Sequence, residues 1–281
     1  MLKKIRALAY QYAIPAVLII FVLFDLLMFG LARILSLLPP TLPMKYLISV
    51  ILMLVPAAFV FLFGFSRAFK RDNLLKGWFT FLPFIVVPLI FLLSFLLINL
   101  GNPKADWKPW YLIPYGIFAI VEVGVREECF YRATIQNILA KKHANSVKGI
   151  WITVIVSSII FGLTHISNLF FDVNLNAVLI QMTSAAAIGL LFGAIYLRSG
   201  NIWLLIVVHT LTDIAGLAES TFFNNISDID TMNQYAFSWK WLIVRLIYVG
   251  IAVFLLRPSK CKQICEGFCS ADKEAERAAN K

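Results

Sequence analysis

Charged residues are scarce in this chain. Lys, Arg, Asp and Glu make up 14% of its 281 residues, whereas 60% of the residues are hydrophobic. Charged residues make up about 25% of an average soluble domain. The polar residues present are too few to cover so much apolar sequence in water. The composition therefore excludes a soluble enzyme, a disordered chain and a collagen-like chain, and it predicts a multi-span membrane protein.

Cysteine is also rare, with four residues: Cys129, Cys261, Cys265 and Cys269. A disulfide framework is not expected in a chain of this length that has no soluble extracellular domain. The last three cysteines are spaced four apart. That spacing fits a metal site less well than reduced thiols beside the membrane that are open to lipidation. The net charge of +10 is attributed to basic loops that face the cytoplasm and anionic lipid, not to nucleic acid.

Long apolar runs predict an all-α fold. A helix that crosses the hydrocarbon core needs about 20 mainly apolar residues. Eight runs meet this requirement, at residues 13–37, 46–66, 79–100, 111–139, 150–168, 176–198, 201–219 and 239–257. The sequence thus predicts a polytopic bundle of about eight transmembrane helices. The small-residue pair Gly189 and Gly193 on the sixth span is interpreted as a packing feature that allows close helix approach.

Basic residues alternate between loops. They gather at the N-terminus, after spans 2, 4 and 6, and in the tail, while the intervening loops are poor in Lys and Arg. The positive-inside rule then places both termini in the cytoplasm. We divide the chain into spans 1–3 (1–105), a helical core with the polar motifs (106–258) and a cytoplasmic polar tail (259–281). The last residues of this tail, Asp272 to Lys281, are expected to be partly disordered.

Ionisable residues at span depth carry the functional information, because each costs at least about 2.5–3.5 kcal/mol at a helix centre and usually has a partner. Asp25 and Arg33 are alone in span 1, and Arg245 is alone in span 8. Spans 4, 5 and 7 carry a distinct polar set.

Span 4 reads Arg126-Glu127-Glu128-Cys129-Phe130-Tyr131-Arg132. Glu128 and Arg132 are four residues apart, so they can form an intrahelical ion pair. Adjacent helical residues point about 100° apart, which leaves Glu127 to face another helix. The alternative is a structural ion-pair network that only fixes helix packing.

Spans 5 and 7 each carry a histidine. Phe161 and His165 share a helix face, as do His209 and Asp213. The alternatives are a histidine bonded to a neighbouring helix and a His–Asp pair without chemistry. Because two of the three histidines of the chain lie at span depth, we expect them to share one polar site with the glutamate pair.

Such a set suits the hydrolysis of a peptide bond. A Glu and a His that converge on one water can remove its proton, and further donors can stabilise a tetrahedral oxyanion. The same side chains are acceptable ligands for zinc or iron. The His-Glu-x-x-His spacing of zinc proteases is absent from the sequence.

The three motifs resemble those of the CPBP family, the CAAX proteases and bacteriocin-processing enzymes also called Abi, which includes the type II CAAX prenyl endopeptidases. The matching patterns are Glu127-Glu128-x-x-x-Arg132, Phe161-x-x-x-His165 and His209-x-x-x-Asp213, preceded by Ser199-Gly200-Asn201-Ile202-Trp203. The resemblance covers about residues 110–220. It implies an intramembrane glutamate protease.

The resemblance also implies roles for the residues. Glu127 and His165 would activate the water, His209 and Asp213 would lie at the oxyanion, and Glu128 and Arg132 would support the first glutamate. Many members have Asn where this chain has Asp213. An ionised Asp cannot donate a hydrogen bond to an oxyanion, so Asp213 is protonated, orients His209, or binds a metal.

The implied substrate is a peptide or protein tail, such as a prenylated CAAX protein or a leader peptide, met in contact with membrane lipid. No cofactor is required by a glutamate mechanism. The alternative is a divalent metal such as zinc, held by Glu127, His165, His209 and Asp213. The expected location is the plasma membrane of a bacterium. A non-catalytic immunity or interaction protein of the same family is the alternative function, and a transporter is a weaker one.

Overall fold

The computed structural model describes residues 1–70, 74–224 and 226–267. Within these ranges every regular element is helical, and one isolated antiparallel bridge pairs Trp107 with Phe223. The α-helices are α1 (Leu2–Gln11), α2 (Ala13–Leu35), α3 (Leu42–Leu62), α4 (Leu74–Leu100), α5 (Ile113–Glu127), α6 (Asn137–His143), α7 (Val147–Leu163), α8 (Leu175–Ser199), α9 (Ile202–Gly216), α10 (Ala218–Phe222), α11 (Asp228–Asn233) and α12 (Trp239–Leu255), followed by a last helix at Pro258–Gly267. A π-helix (Glu128–Gln136) links α5 to α6, and short 3-10 helices lie at Ser66–Phe69 and Thr164–Phe171. The predictions for Cys269 and for Asp272 to Lys281 fall outside the described residues.

Five helices are long and apolar enough to cross a membrane. They are Ala13–Leu35, Leu42–Leu62, Phe81–Leu100, Val147–Phe171 and Leu175–Ser199, and they correspond to predicted spans 1, 2, 3, 5 and 6. A sixth is reached if Trp239–Leu255 and Pro258–Gly267, which meet at a bend of 61°, count as one span. The prediction of an all-helical, multi-pass membrane protein is therefore confirmed.

The predicted count of eight spans is not reached by the described residues. Predicted span 7 forms the 15-residue helix Ile202–Gly216, whose length of about 22 Å is short of the roughly 30 Å hydrocarbon core. Predicted span 4 becomes α5, the π-helix and α6 in succession. Its apolar sequence is interrupted by the charged motif, so it does not qualify as an ordinary span.

The helices form an inner and an outer group. About half of the residues in the apolar windows of α7 and α8 are buried inside the protein, against 11–17% for α2, α3 and α4. All nine residues of the π-helix are buried. The outer helices therefore expose apolar side chains suited to lipid, and the inner helices enclose the polar motifs.

Two local features set the approach of these inner helices. Gly200 ends α8 with a φ of 62°, and the side chain of Asn201 then accepts hydrogen bonds from the backbone of Trp203 and Leu204 to begin α9. This tight connection fixes the start of the helix that carries His209. Gly193 lies so close to Gln136 that a Cβ would be 2.9 Å from its Oε1, and this confirms the interpretation of Gly193 as a site of close packing.

Candidate active site

The charged motif of predicted span 4 begins at the end of α5 and continues along the π-helix. Glu127 is the last residue of α5, and Glu128 begins the π-helix without an intervening turn. Thr134 Oγ1 donates a hydrogen bond at 3.1 Å to the carbonyl of Cys129, five residues earlier. π-Helices are rare, are mostly a single turn long and occur frequently at functional sites. This π-helix is nine residues long, which is longer than the single turn that is usual.

Glu128 and Arg132 form the predicted ion pair. Arg132 Nε lies 3.4 Å from Glu128 Oε2, and neither side chain has any exposed surface. The guanidinium carbon of Arg132 also lies 4.7 Å from the centre of the Phe161 ring. In the described part of the chain, no Arg132 nitrogen has a hydrogen-bond acceptor. The positive charge of Arg132 is thus paired with the Glu128 carboxylate, and the guanidinium also contacts the face of the Phe161 ring.

His209 is the centre of the site. Its Nδ1 lies 2.7 Å from Glu128 Oε1, and its Nε2 lies 3.3 Å from Asp213 Oδ2 and 3.6 Å from Glu127 Oε2. The imidazole packs against the rings of Phe161 and Phe192, with centroid distances of 6.0 and 5.4 Å. Three carboxyl groups, from α5, the π-helix and α9, therefore surround one histidine.

This arrangement fixes how protons are shared. A neutral imidazole donates from only one of its nitrogens, and an ionised carboxylate only accepts. With carboxyl groups at both Nδ1 and Nε2, the cluster must either hold a positively charged His209 or keep a proton on a carboxyl group. The cluster as a whole can therefore store and release a proton.

Exposure increases across the cluster. The Glu128 side chain is fully buried, while those of Glu127 and Asp213 are 12% and 30% exposed. The Nδ1 edge of His209 is thus sealed by protein. A substrate or water can reach the cluster from the side of Glu127 and Asp213.

His165 lies at the same site but makes a different contact. It follows the end of α7, in the 3-10 helix Thr164–Phe171. Its ring packs on Phe161 with a centroid distance of 5.8 Å, and it lies within electrostatic range of Asp213 and His209. Among the described residues, none forms a hydrogen bond or ion pair with the imidazole of His165. The structure therefore brings His165 to the cluster through Phe161 and not through direct contact with Glu127.

Two further contacts at the site were not predicted from the sequence. Arg126 Nε lies 2.8 Å from Glu122 Oε1, so Arg126 pairs one turn back within α5. The four-residue spacing of this pair could have revealed it. At the contact of α5 with α9, a Cβ on Gly124 would lie 2.6 Å from Oγ1 of Thr210. No local pattern in the sequence signals such a contact between helices.

The side chains of the site include types that can bind a metal. Among the described residues, no group of three or more His, Cys, Asp or Glu side chains is arranged to hold a metal ion. Of the four ligands that the resemblance implies, Glu127 and Asp213 direct a carboxyl oxygen at His209 Nε2, at 3.6 and 3.3 Å, and His165 makes no hydrogen bond to them among the described residues.

The fold and the site define a class: polytopic helical membrane proteins with a buried glutamate–histidine cluster. Within that class, residues 109–215 match the family described as type II CAAX prenyl endopeptidase Rce1-like. This stretch is a protease-family domain, and the chain thus carries an Rce1-like domain of the CPBP family over less than half of its length. No curated protein and no solved structure gives a significant match to the chain. The matched residues include all three motifs, from Glu127 to Asp213.

Proposed function

We propose that this protein is an intramembrane endopeptidase that cleaves a peptide or protein tail with water activated by Glu127 and the site histidines. The observation that supports the proposal most strongly is the double contact of His209. Glu128 holds its Nδ1 at 2.7 Å on the sealed side, and Nε2 faces Glu127 and Asp213 on the open side. The family of the matched domain implies a peptidase and a peptide substrate.

In the proposed reaction, Glu127 accepts a proton from a water while the water oxygen attacks the peptide carbonyl carbon. His165 helps to place that water. His209 donates through Nε2–H to the oxygen that becomes negative. Glu127 then returns the proton to the leaving amine as the C–N bond breaks. Glu128 and Arg132 keep the His209 ring in position, since a buried carboxylate on one ring nitrogen fixes the orientation of the other.

Asp213 orients His209 in this proposal. Its Oδ2 lies 3.3 Å from Nε2, and the two residues are one helical turn apart on α9. When a substrate carbonyl enters, Asp213 can release Nε2 toward the oxyanion and remain at the open edge of the site. No metal takes part in these steps.

The proposed substrates are peptides that reach the protein from the membrane, such as a prenylated CAAX tail or a leader peptide. The outer helices α2, α3 and α4 are mostly exposed and apolar, which suits a site entered from lipid. We further propose the plasma membrane of a bacterium as the location. Cytoplasmic termini are proposed because basic residues gather at the N-terminus and in the tail, and such residues favour the cytoplasmic side.

Cleavage of a quenched peptide library by the purified full chain in lipid nanodiscs tests the proposal. The library contains prenylated and unprenylated sequences. The expected result is cleavage by wild type and loss of cleavage in Glu127→Ala and His165→Ala. Glu219→Ala is the matched control, because Glu219 is exposed and lies outside the matched domain. Cleavage that persists unchanged in both site variants would overturn the proposal.

A non-catalytic immunity or interaction protein is the second candidate. The observation that favours it is the complete burial of Glu128 and Arg132, which a purely structural network would also have. If wild type cleaves nothing and Glu127→Gln melts well below wild type, this second function is the better one. A catalytic glutamate often lowers stability, so its removal from an enzyme leaves the melting temperature unchanged or raises it.

A further inference from the structure

The N-terminal helix α2 packs directly on the site, although it lies outside the matched domain. The Phe24 side chain is buried, and its ring stacks on that of Phe130 with a centroid distance of 3.6 Å and an interplanar angle of 12°. Phe130 lies between the glutamate pair and Arg132 in the motif. The face of α2 that carries Phe24 is therefore placed against the π-helix.

The next residue of α2, Asp25, contacts the segment that carries His165. Thr164 Oγ1 donates a hydrogen bond to Asp25 Oδ1 at 3.5 Å, across 139 residues of sequence. Thr164 is the first residue of the 3-10 helix and directly precedes His165. The Asp25 carboxyl group is thus tied to the point where α7 ends and the direction of the histidine is set.

Asp25 has further neighbours in the same region. It lies within electrostatic range of Arg126, and the hydroxyl of Tyr131 interacts with both Asp25 and Thr164. The ring of Tyr131 also packs on Phe161, with a centroid distance of 5.1 Å. A carboxyl group on an otherwise apolar span needs a polar partner. The structure supplies that partner from the candidate active site, although the sequence shows no polar motif around Asp25 in its span.

We propose that Asp25 is a positioning residue: through Thr164 it fixes the start of the 3-10 helix and thereby the placement of the His165 imidazole. This inference rests on the proposed function, in which His165 places the attacking water. Asp25 does not touch the reacting atoms, and α2 becomes a required part of the active site rather than a membrane anchor alone.

Kinetics of four variants, with one control, test whether catalysis depends on the contact between Asp25 and Thr164. Asp25→Ala and Thr164→Val should each lower kcat by about tenfold or more with KM changed less than about twofold, because small misplacements of a catalytic group have effects of this size. Asp25→Asn should retain most of the activity, since its amide oxygen still accepts from Thr164. The double variant should be no slower than either single variant. Arg33→Ala, an exposed charge on the same helix, is the control and should match wild type.

A spectroscopic measurement tests whether this contact places the His165 imidazole, and it does not rely on cleavage. In protein with isotope-labelled histidine, the His165 imidazole signals are assigned by their loss in His165→Gln. They should shift in Asp25→Ala and Thr164→Val and return toward their wild-type positions in Asp25→Asn, while the His143 signals stay in place. Shifts without any wild-type cleavage would refute the proposed function and leave the positioning role standing. Wild-type cleavage with an unmoved His165 signal and an unchanged kcat in Asp25→Ala would overturn the inference.

Discussion

Nδ1 of His209 lies 2.7 Å from Oε1 of Glu128, which is 81 residues earlier in the chain and fully buried. This contact joins the π-helix to α9 and leaves the other ring nitrogen toward the open side of the site. Glu128 thus contacts His209 directly, whereas the resemblance to the family implies that it supports Glu127. The two adjacent glutamates have different surroundings and are expected to respond differently to substitution.

Glu127→Gln is expected to abolish cleavage while the protein stays folded. The amide cannot accept the proton of the attacking water, and loss of a general base lowers the rate by about 10²- to 10⁴-fold. The measurement is kcat in nanodiscs together with the melting temperature. Glu219→Gln serves as the control and should keep wild-type kinetics. A Glu127→Gln protein with more than about a tenth of the wild-type kcat would contradict the assignment.

Arg132→Ala is expected to destabilise the protein by about 3–5 kcal/mol, because it leaves the buried Glu128 carboxylate without its cation. Equilibrium unfolding in mixed micelles measures this loss. The matched control is Lys142→Ala, an exposed cation on α6, which should change stability by less than about 0.5 kcal/mol. Equal stabilities of the two variants would mean that the buried ion pair is not a stabilising contact.

Asp213→Asn is expected to keep at least a tenth of the wild-type activity. The Asn oxygen can still accept a hydrogen bond from His209 Nε2, and the Asn nitrogen can donate to an oxyanion. Asp213→Leu removes both capacities and should lose activity by about 100-fold or more. Steady-state kinetics of the two variants decide the question. If Asp213→Asn is as inactive as Asp213→Leu, the negative charge itself is needed and hydrogen bonding alone does not account for the role of Asp213.

Gly124→Ala is expected to loosen the contact between α5 and α9. The new Cβ would lie 2.6 Å from Thr210 Oγ1, and overpacking of this kind typically costs about 1–3 kcal/mol. Thermal unfolding should show a lower melting temperature, and Thr210→Ala in the same protein should restore part of it. The control is Gly250→Ala, where nothing lies within 4 Å of the new Cβ. A Gly124→Ala protein as stable as the Gly250→Ala protein would contradict this packing.

Chelation of divalent metals is expected to leave cleavage unchanged, since the proposed mechanism uses side chains and water. The measurement is activity after dialysis against a chelator, together with metal analysis of the purified protein. A matched sample to which zinc is returned controls for losses during dialysis. Activity that disappears on chelation and returns with zinc would establish metal dependence, and loss of zinc from variants at Glu127, His165, His209 and Asp213 would then identify the ligands.

Local spacing predicted some site contacts correctly and could not predict others. The pair Glu128 and Arg132 follows from four-residue spacing, because side chains that far apart on a helix meet whatever surrounds them. The contact of Glu128 with His209 and that of Asp25 with Thr164 join segments that are distant in sequence. Such contacts depend on which helix faces pack together, and hydropathy carries no information about that. The same limit explains the excess of predicted spans, because apolar length alone does not distinguish a full crossing from the 15-residue helix that carries His209.

The sequence by itself determined that this chain is a helical membrane protein, because apolar residues in such excess have no stable place in water. It also determined which polar residues matter, since ionisable side chains at span depth are too costly to be incidental. Only the tertiary structure decided which of them meet. The π-helix turns Glu128 and Arg132 into the core, α9 brings His209 onto Glu128, and α2 adds Asp25 from outside the matched domain. The physical reason is that helix packing selects among the faces that the sequence offers, and that selection depends on all the helices together.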